Sequence, residues 1–255
     1  MLLRGSRRAR KGPLRPSAGP ERTGVWLRPD RLGWWIGALF AVGSVLFLVP
    51  ALAALGSSAE WIAWTFFIGS IFFTSAGYLQ YFQAANAGHA ARPRDERRPL
   101  RPVTWRPTEI GWLASVIQLA GTILFNVNTF DALNNALSAH QVNVRVWTQD
   151  MSGSACFLVA SVLAYAEAGH GWLSWRPGDL GWRITAINLA GSIAFGVSAV
   201  ASYVRPATGG AVNDTISNLG TAAGALCFLV GALLLMPEAD REARAAQPAV
   251  AAATG

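Results

Sequence analysis

Six continuous apolar stretches, at roughly 34–55, 60–82, 110–130, 150–167, 182–204 and 215–236, constrain this chain more than any other feature. A helix needs about 20 mostly apolar residues to cross hydrocarbon. A strand of a membrane barrel would instead show about ten residues of alternating character. With 52% apolar and only 14% charged residues, and a mean hydropathy of +0.32, the chain is too apolar for a water-soluble domain of this length. The expected fold is all-α: a polytopic membrane protein with six transmembrane helices over residues 32–236, whose first partner is the lipid bilayer. The flanking segments 1–31 and 237–255 are polar and rich in Arg, Gly, Pro, Ala and Ser, and are expected as disordered tails.

Charge placement predicts the orientation. Of 21 Lys and Arg, nine precede the first helix, six lie between helices 2 and 3, and four more flank the link between helices 4 and 5 or follow helix 6. Only Arg145 and Arg205 fall on the other side. By the positive-inside rule both termini are expected in the cytoplasm, and the Arg- and Ala-rich, nearly Lys-free composition leads to the expectation of a bacterial plasma membrane. No apolar region follows the SRRARK segment closely enough for a cleaved export signal. The basic tail lacks the aromatic interleaving of a nucleic-acid-binding module, so no nucleic acid partner is expected. Its expected role, with the Arg-rich 92–106 segment, is contact with anionic lipid headgroups.

The chain also repeats itself. Pro29, Gly33, Trp34, Gly43, Ser44 and Phe47 recur at the same spacing as Pro107, Gly111, Trp112, Gly121, Thr122 and Phe125, and again as Pro177, Gly181, Trp182, Gly191, Ser192 and Phe195. The even helices carry a shorter pattern: Gly69-Ser70-Ile71-Phe72-Phe73, Gly153-Ser154-Ala155-Cys156-Phe157 and Gly224-Ala225-Leu226-Cys227-Phe228. Three gapless copies predict an internal triplication with units of roughly 26–86, 105–168 and 175–236. Each unit holds two helices, so all three enter the membrane in the same direction and pack as parallel repeats with rough threefold pseudo-symmetry. Trp34, Trp112 and Trp182 are expected in one interfacial belt, and Trp61, Trp64 and Trp147 in the other. Paired helices with GSxxF-type motifs, here Gly43-Ser44-Val45-Leu46-Phe47 and Gly69-Ser70-Ile71-Phe72-Phe73, resemble the YrhK-like family of small bacterial membrane proteins. That resemblance implies a two-helix unit and no catalytic residues.

Chemistry is sparse. His89, His140 and His170 fall in predicted loops without metal-ligand spacing, and there is no HExxH, nucleophile elbow, phosphate loop or paired carboxylate. Cys156 and Cys227 share one repeat position, which fits packing. No cofactor, metal or enzymatic activity is expected. The charged residues avoid the middles of the helices, with Glu109, Asp150, Asp179 and Asp214 read as caps at helix ends. What stands out is amides: Gln118, Thr122 and Asn126 share one face of helix 3, Asn188 occupies in helix 5 the position of Gln118 and Phe40, and Asn218 continues a polar stripe on helix 6. These five form the candidate binding set. An amide in hydrocarbon leaves donors and acceptors unpaired at a cost of several kcal/mol, so Gln118, Asn126 and Asn188 are expected to face the bundle interior. Three roles are compatible with this pattern: a non-enzymatic integral membrane protein of unknown biochemical activity, a channel or carrier for a small uncharged solute, and an anionic-lipid-binding or membrane assembly partner.

Overall fold

The apolar stretches become helices because nothing else satisfies their backbone in lipid. The computed structural model describes residues 32–87 and 99–252, with side chains to residue 238. Its long helices are α1 (Leu32–Ala53), α2 (Glu60–Ala85), α3 (Ile110–Asp131), α4 (Ala139–Gly169), α5 (Leu180–Ala201) and α6 (Asp214–Ala252). All six contain a segment long and apolar enough to cross a bilayer, and the chain is an integral membrane protein of the all-α class. Each helix packs along the next, and α6 returns to pack along α1, so the six close into a ring. We call the end where α1, α3 and α5 begin the near end, and the opposite one, where α1–α2, α3–α4 and α5–α6 are joined, the far end.

Small residues and phenylalanines turn inward while branched aliphatics turn out. On α1, Val42, Val45, Val49 and Leu52 form an exposed stripe, opposite buried Phe40, Gly43, Ser44 and Phe47. Bulk outside and small residues inside is the arrangement that lets membrane helices approach closely. The glycine motifs have a specific reason. A Cβ on Gly69, Gly153 or Gly224 would lie 2.9, 2.6 or 2.6 Å from the ring of Phe47, Phe125 or Phe195. Reciprocally, a Cβ on Gly43 or Gly121 would lie 2.9 Å from the ring of Phe73 or Phe157. Each hairpin is therefore an interlock in which the glycine of one helix seats the phenylalanine of its partner.

The α2–α3 seam is polar. Asn126 on α3 accepts from Ser70 Oγ at 2.8 Å and donates through Nδ2 to Thr74 Oγ1 and to the Ser70 carbonyl at 3.3 Å. Thr129 adds a bond to Ser70 Oγ at 3.0 Å. Interhelical bonds of this type contribute about 0.6 kcal/mol each.

Several expectations need correction. Helix 4 begins at Ala139 rather than 150, because a π-helical segment, Val142–Trp147, joins the short turn Ala139–Gln141 to the span. His140 is consequently helical, and Asp150 lies inside α4 as no cap at all. The π turn is anchored by Asn143, whose side chain donates to the Val204 carbonyl at 2.7 Å and accepts from its N–H at 3.0 Å. Helix 5 ends at Ala201 rather than 204, and α6 continues to Ala252, through the segment read as a disordered tail. Trp112 and Trp182 do not face outward as an interfacial belt requires: they are buried, edge-on against Tyr81 and tilted against Tyr165 of the preceding helices. Trp105 and Trp175, both 81% exposed, hold the outward positions there. Asp179 caps α5 by accepting from Trp182 N–H at 2.9 Å, whereas Glu109 pairs with Arg106 at 3.2 Å and makes no cap bond. The tail 1–31, His89, Arg92, Arg94, Arg97 and Arg98 lie outside the described residues, and with them the expected lipid contacts.

Candidate functional site

Six phenylalanines, one from each helix, meet inside the ring. Phe47, Phe125 and Phe195 form a triangle with centroid separations of 6.1, 5.9 and 6.4 Å. Phe228 meets Phe73 at 6.2 Å and Phe157 at 5.9 Å, and each hairpin joins the two layers, as in the stacked Phe125–Phe157 pair at 5.0 Å. These are the phenylalanines of the two repeated motifs, so the same residues that lock the hairpins also fill the middle of the bundle. Pairs of this geometry add about 0.5–1.5 kcal/mol each beyond their burial.

Toward the near end, a cavity of about 80 Å³ lies against Phe40, Phe73, Phe157 and Phe228. Its polar lining is Gln80 and Gln83 from α2, Gln118 from α3, Ser161 from α4, and Thr185 and Asn188 from α5. Every one of these groups is neutral. Gln80 Nε2 donates to Gln118 Oε1 at 3.4 Å, Ser161 and Ser192 share a hydroxyl bond at 2.7 Å, and Thr185 donates back to the Gly181 carbonyl at 3.1 Å. Asn188 Oδ1 is buried with no hydrogen-bond partner. The opposing position on α6 is Gly231, where a Cβ would collide with that oxygen. An unpaired buried carbonyl costs about 1–3 kcal/mol, and this oxygen is packed against Gly231 at the cavity wall. About 10–15 Å³ of such volume holds one water. The space therefore takes several waters or one molecule the size of acetamide.

Toward the far end, a wider vestibule of about 440 Å³ has Phe47, Phe125 and Phe195 among its lining. Asn128, Ser198, Asn218 and Thr221 contribute its hydroxyls and amides, and Asp150 and Glu60 its carboxylates. Asp150 accepts from Ser202 Oγ at 3.2 Å. The phenylalanine layers stand between the two spaces.

The five residues singled out from the sequence divide among three places. Gln118 and Asn188 come together in the near-end cavity, beside Phe40, which occupies the same repeat position. Thr122, fully buried, and Asn126 belong to the α2–α3 seam: the Thr122 carbonyl accepts from Thr74 Oγ1 at 3.1 Å and from Asn126 Nδ2 at 3.2 Å. Asn218 lines the far vestibule and donates to the Ala54 carbonyl at 3.5 Å. Sequence reasoning missed Gln80, Gln83, Ser161 and Thr185. Part of the signal was there: Gln83 stands ten residues after Phe73, the position Glu167 holds after Phe157 and Glu238 after Phe228, and all three are buried. Among the described residues no group of three or more His, Cys, Asp or Glu is placed to hold a metal. No family model, curated protein or solved structure matches this chain.

Proposed function

We propose that this membrane protein is a non-enzymatic carrier or gated pore for a small uncharged solute, with both termini in the cytoplasm and the phenylalanine layers as its closed gate. The observation that carries this reading is the near-end cavity, whose polar lining of Gln80, Gln118, Ser161 and Asn188 is neutral throughout. A charged guest would meet no counter-charge there and would bear the full cost of leaving water. A small amide or polyol would exchange its water hydrogen bonds for Gln118, Asn188 and Ser161. The neutral lining also argues against ion coupling, which relies on ionisable groups. The repeated Gly–Phe interlock and the closed ring of helices support a pseudo-threefold origin from three tandem hairpins, and the motifs themselves support kinship with the YrhK-like family.

Proteoliposomes test the reading. Light scattering after an osmotic step with acetamide, urea or glycerol is expected to relax faster with protein than without for at least one solute. Asn188→Leu, which removes an unpaired polar atom and should leave melting unchanged or raised, is expected to abolish the gain. Relaxation equal to protein-free vesicles for every solute would remove the proposal.

A further inference from the structure

The far-end vestibule differs from the near-end cavity in one respect that bears on ligand class: it carries negative charge. Asp150, on the first turns of α4 after the π segment, lines it and has Ser202 Oγ, at 3.2 Å, as its side-chain partner among the described residues. Glu60, the first residue of α2, lines the same space. No Lys, Arg or His contributes to the lining among the described residues. Arg205, a basic residue at this end, turns its guanidinium to the Val212 carbonyl at 2.8 Å. A carboxylate partly withdrawn from water with one hydroxyl partner favours a neighbouring cation.

The rest of the wall says which cation. Trp64, Phe66 and Trp147 line the vestibule together with the outer phenylalanine layer. Trp147 is held in place, since its Nε1 donates to the Ala199 carbonyl at 2.8 Å and its ring packs edge-on against Tyr203 at 5.0 Å. A metal ion needs several oxygen ligands at close range, and no acidic triad exists to supply them among the described residues. Aromatic rings with a carboxylate suit a large, weakly hydrated organic cation, whose alkyl groups lie on the rings while its charge faces the acid. The volume of about 440 Å³ is in the range that accepts small organic ligands. We infer that the far-end vestibule is a binding site for a small alkylated ammonium ion, with Asp150 as its counter-charge and the aromatic wall as its cradle. A cation seated there rests on the outer face of the phenylalanine layers, so it would also obstruct the route to the near-end cavity. The site itself does not depend on solute passage.

Isothermal titration of the full chain in maltoside micelles, with choline and with its uncharged isostere bearing a tert-butyl group in place of trimethylammonium, tests this. Choline is expected to bind at least about tenfold tighter than the isostere, the factor given by a charge contribution of about 1.4 kcal/mol. Asp150→Asn should reduce choline to the level of the isostere at unchanged melting temperature. If that variant does not fold, the contrast between the two ligands on the unaltered protein decides the matter alone. Equal binding of both ligands, no binding of choline, full choline affinity in folded Asp150→Asn, or binding of glucose in preference to choline would overturn the inference. Because the reading is equilibrium binding, a negative flux result leaves it standing, and its failure leaves the flux proposal standing.

Discussion

At the scale of single residues, the interior is set by where a Cβ can and cannot go. A Cβ on Gly153 would come within 2.6 Å of Phe125 Cδ2 and 3.2 Å of the Gly121 carbonyl, with a ring in the bundle centre on one side and backbone on the other. Gly153→Ala is expected to cost about 1–3 kcal/mol, the usual range for overpacking a filled core. At Gly196, on α5, a Cβ would meet nothing within 4 Å, so Gly196→Ala is expected to be neutral or stabilising by about 0.5–1 kcal/mol. Reversible unfolding in mixed detergent micelles reads both. Equal destabilisation by the two would deny the interlock. The glycines were visible in the sequence as a motif; their partners were not, because pairing a glycine with a ring requires knowing the rotation of both helices. The same ignorance misplaced Trp112 and Trp182, whose spacing matched a belt but whose faces pack on Tyr81 and Tyr165.

At the scale of elements, the phenylalanine layers do two things at once, closing each hairpin and separating the two spaces. Truncating one ring should therefore change stability and permeability together. Phe125→Ala removes contacts to Phe47, Phe157 and Phe195 and is expected to cost about 3–5 kcal/mol. In vesicles its water and solute permeability should exceed that of the unaltered protein. A folded Phe125→Ala protein with unaltered permeability would mean the layers are packing only. Most helices were legible from hydropathy, since lipid tolerates little else. The start of α4 was not, because Gln141, Asn143 and Arg145 give residues 139–147 the polarity of a loop, and hydropathy cannot see that Asn143 is tied to Val204. Gln118 and Asn188 were legible as a pair through the repeat register. Gln80 and Ser161 were not, for they lie on even helices whose facing toward the cavity follows from the ring closure.

At the scale of the whole molecule, an orientation combines with a path. The 19-to-2 division of basic residues supports a cytoplasmic near end. In a background with Cys156 and Cys227 replaced by Ala, Ser57→Cys, Ser138→Cys and Thr208→Cys should react with an impermeant thiol reagent applied to intact cells. Leu173→Cys, at a fully exposed position, should react only after permeabilisation. Thr208 is preferable to Gly209, whose φ of 69° disfavours a side chain. The reverse labelling pattern would invert the molecule. Whether the near-end cavity receives a small uncharged guest is decided by a crystal structure of the full chain saturated with acetamide, at a resolution that shows bound small molecules. Acetamide is expected between Gln118 and Asn188, hydrogen-bonded to the amides that line the cavity; a cavity collapsed around Asn188, or acetamide confined to the far vestibule, would contradict this reading.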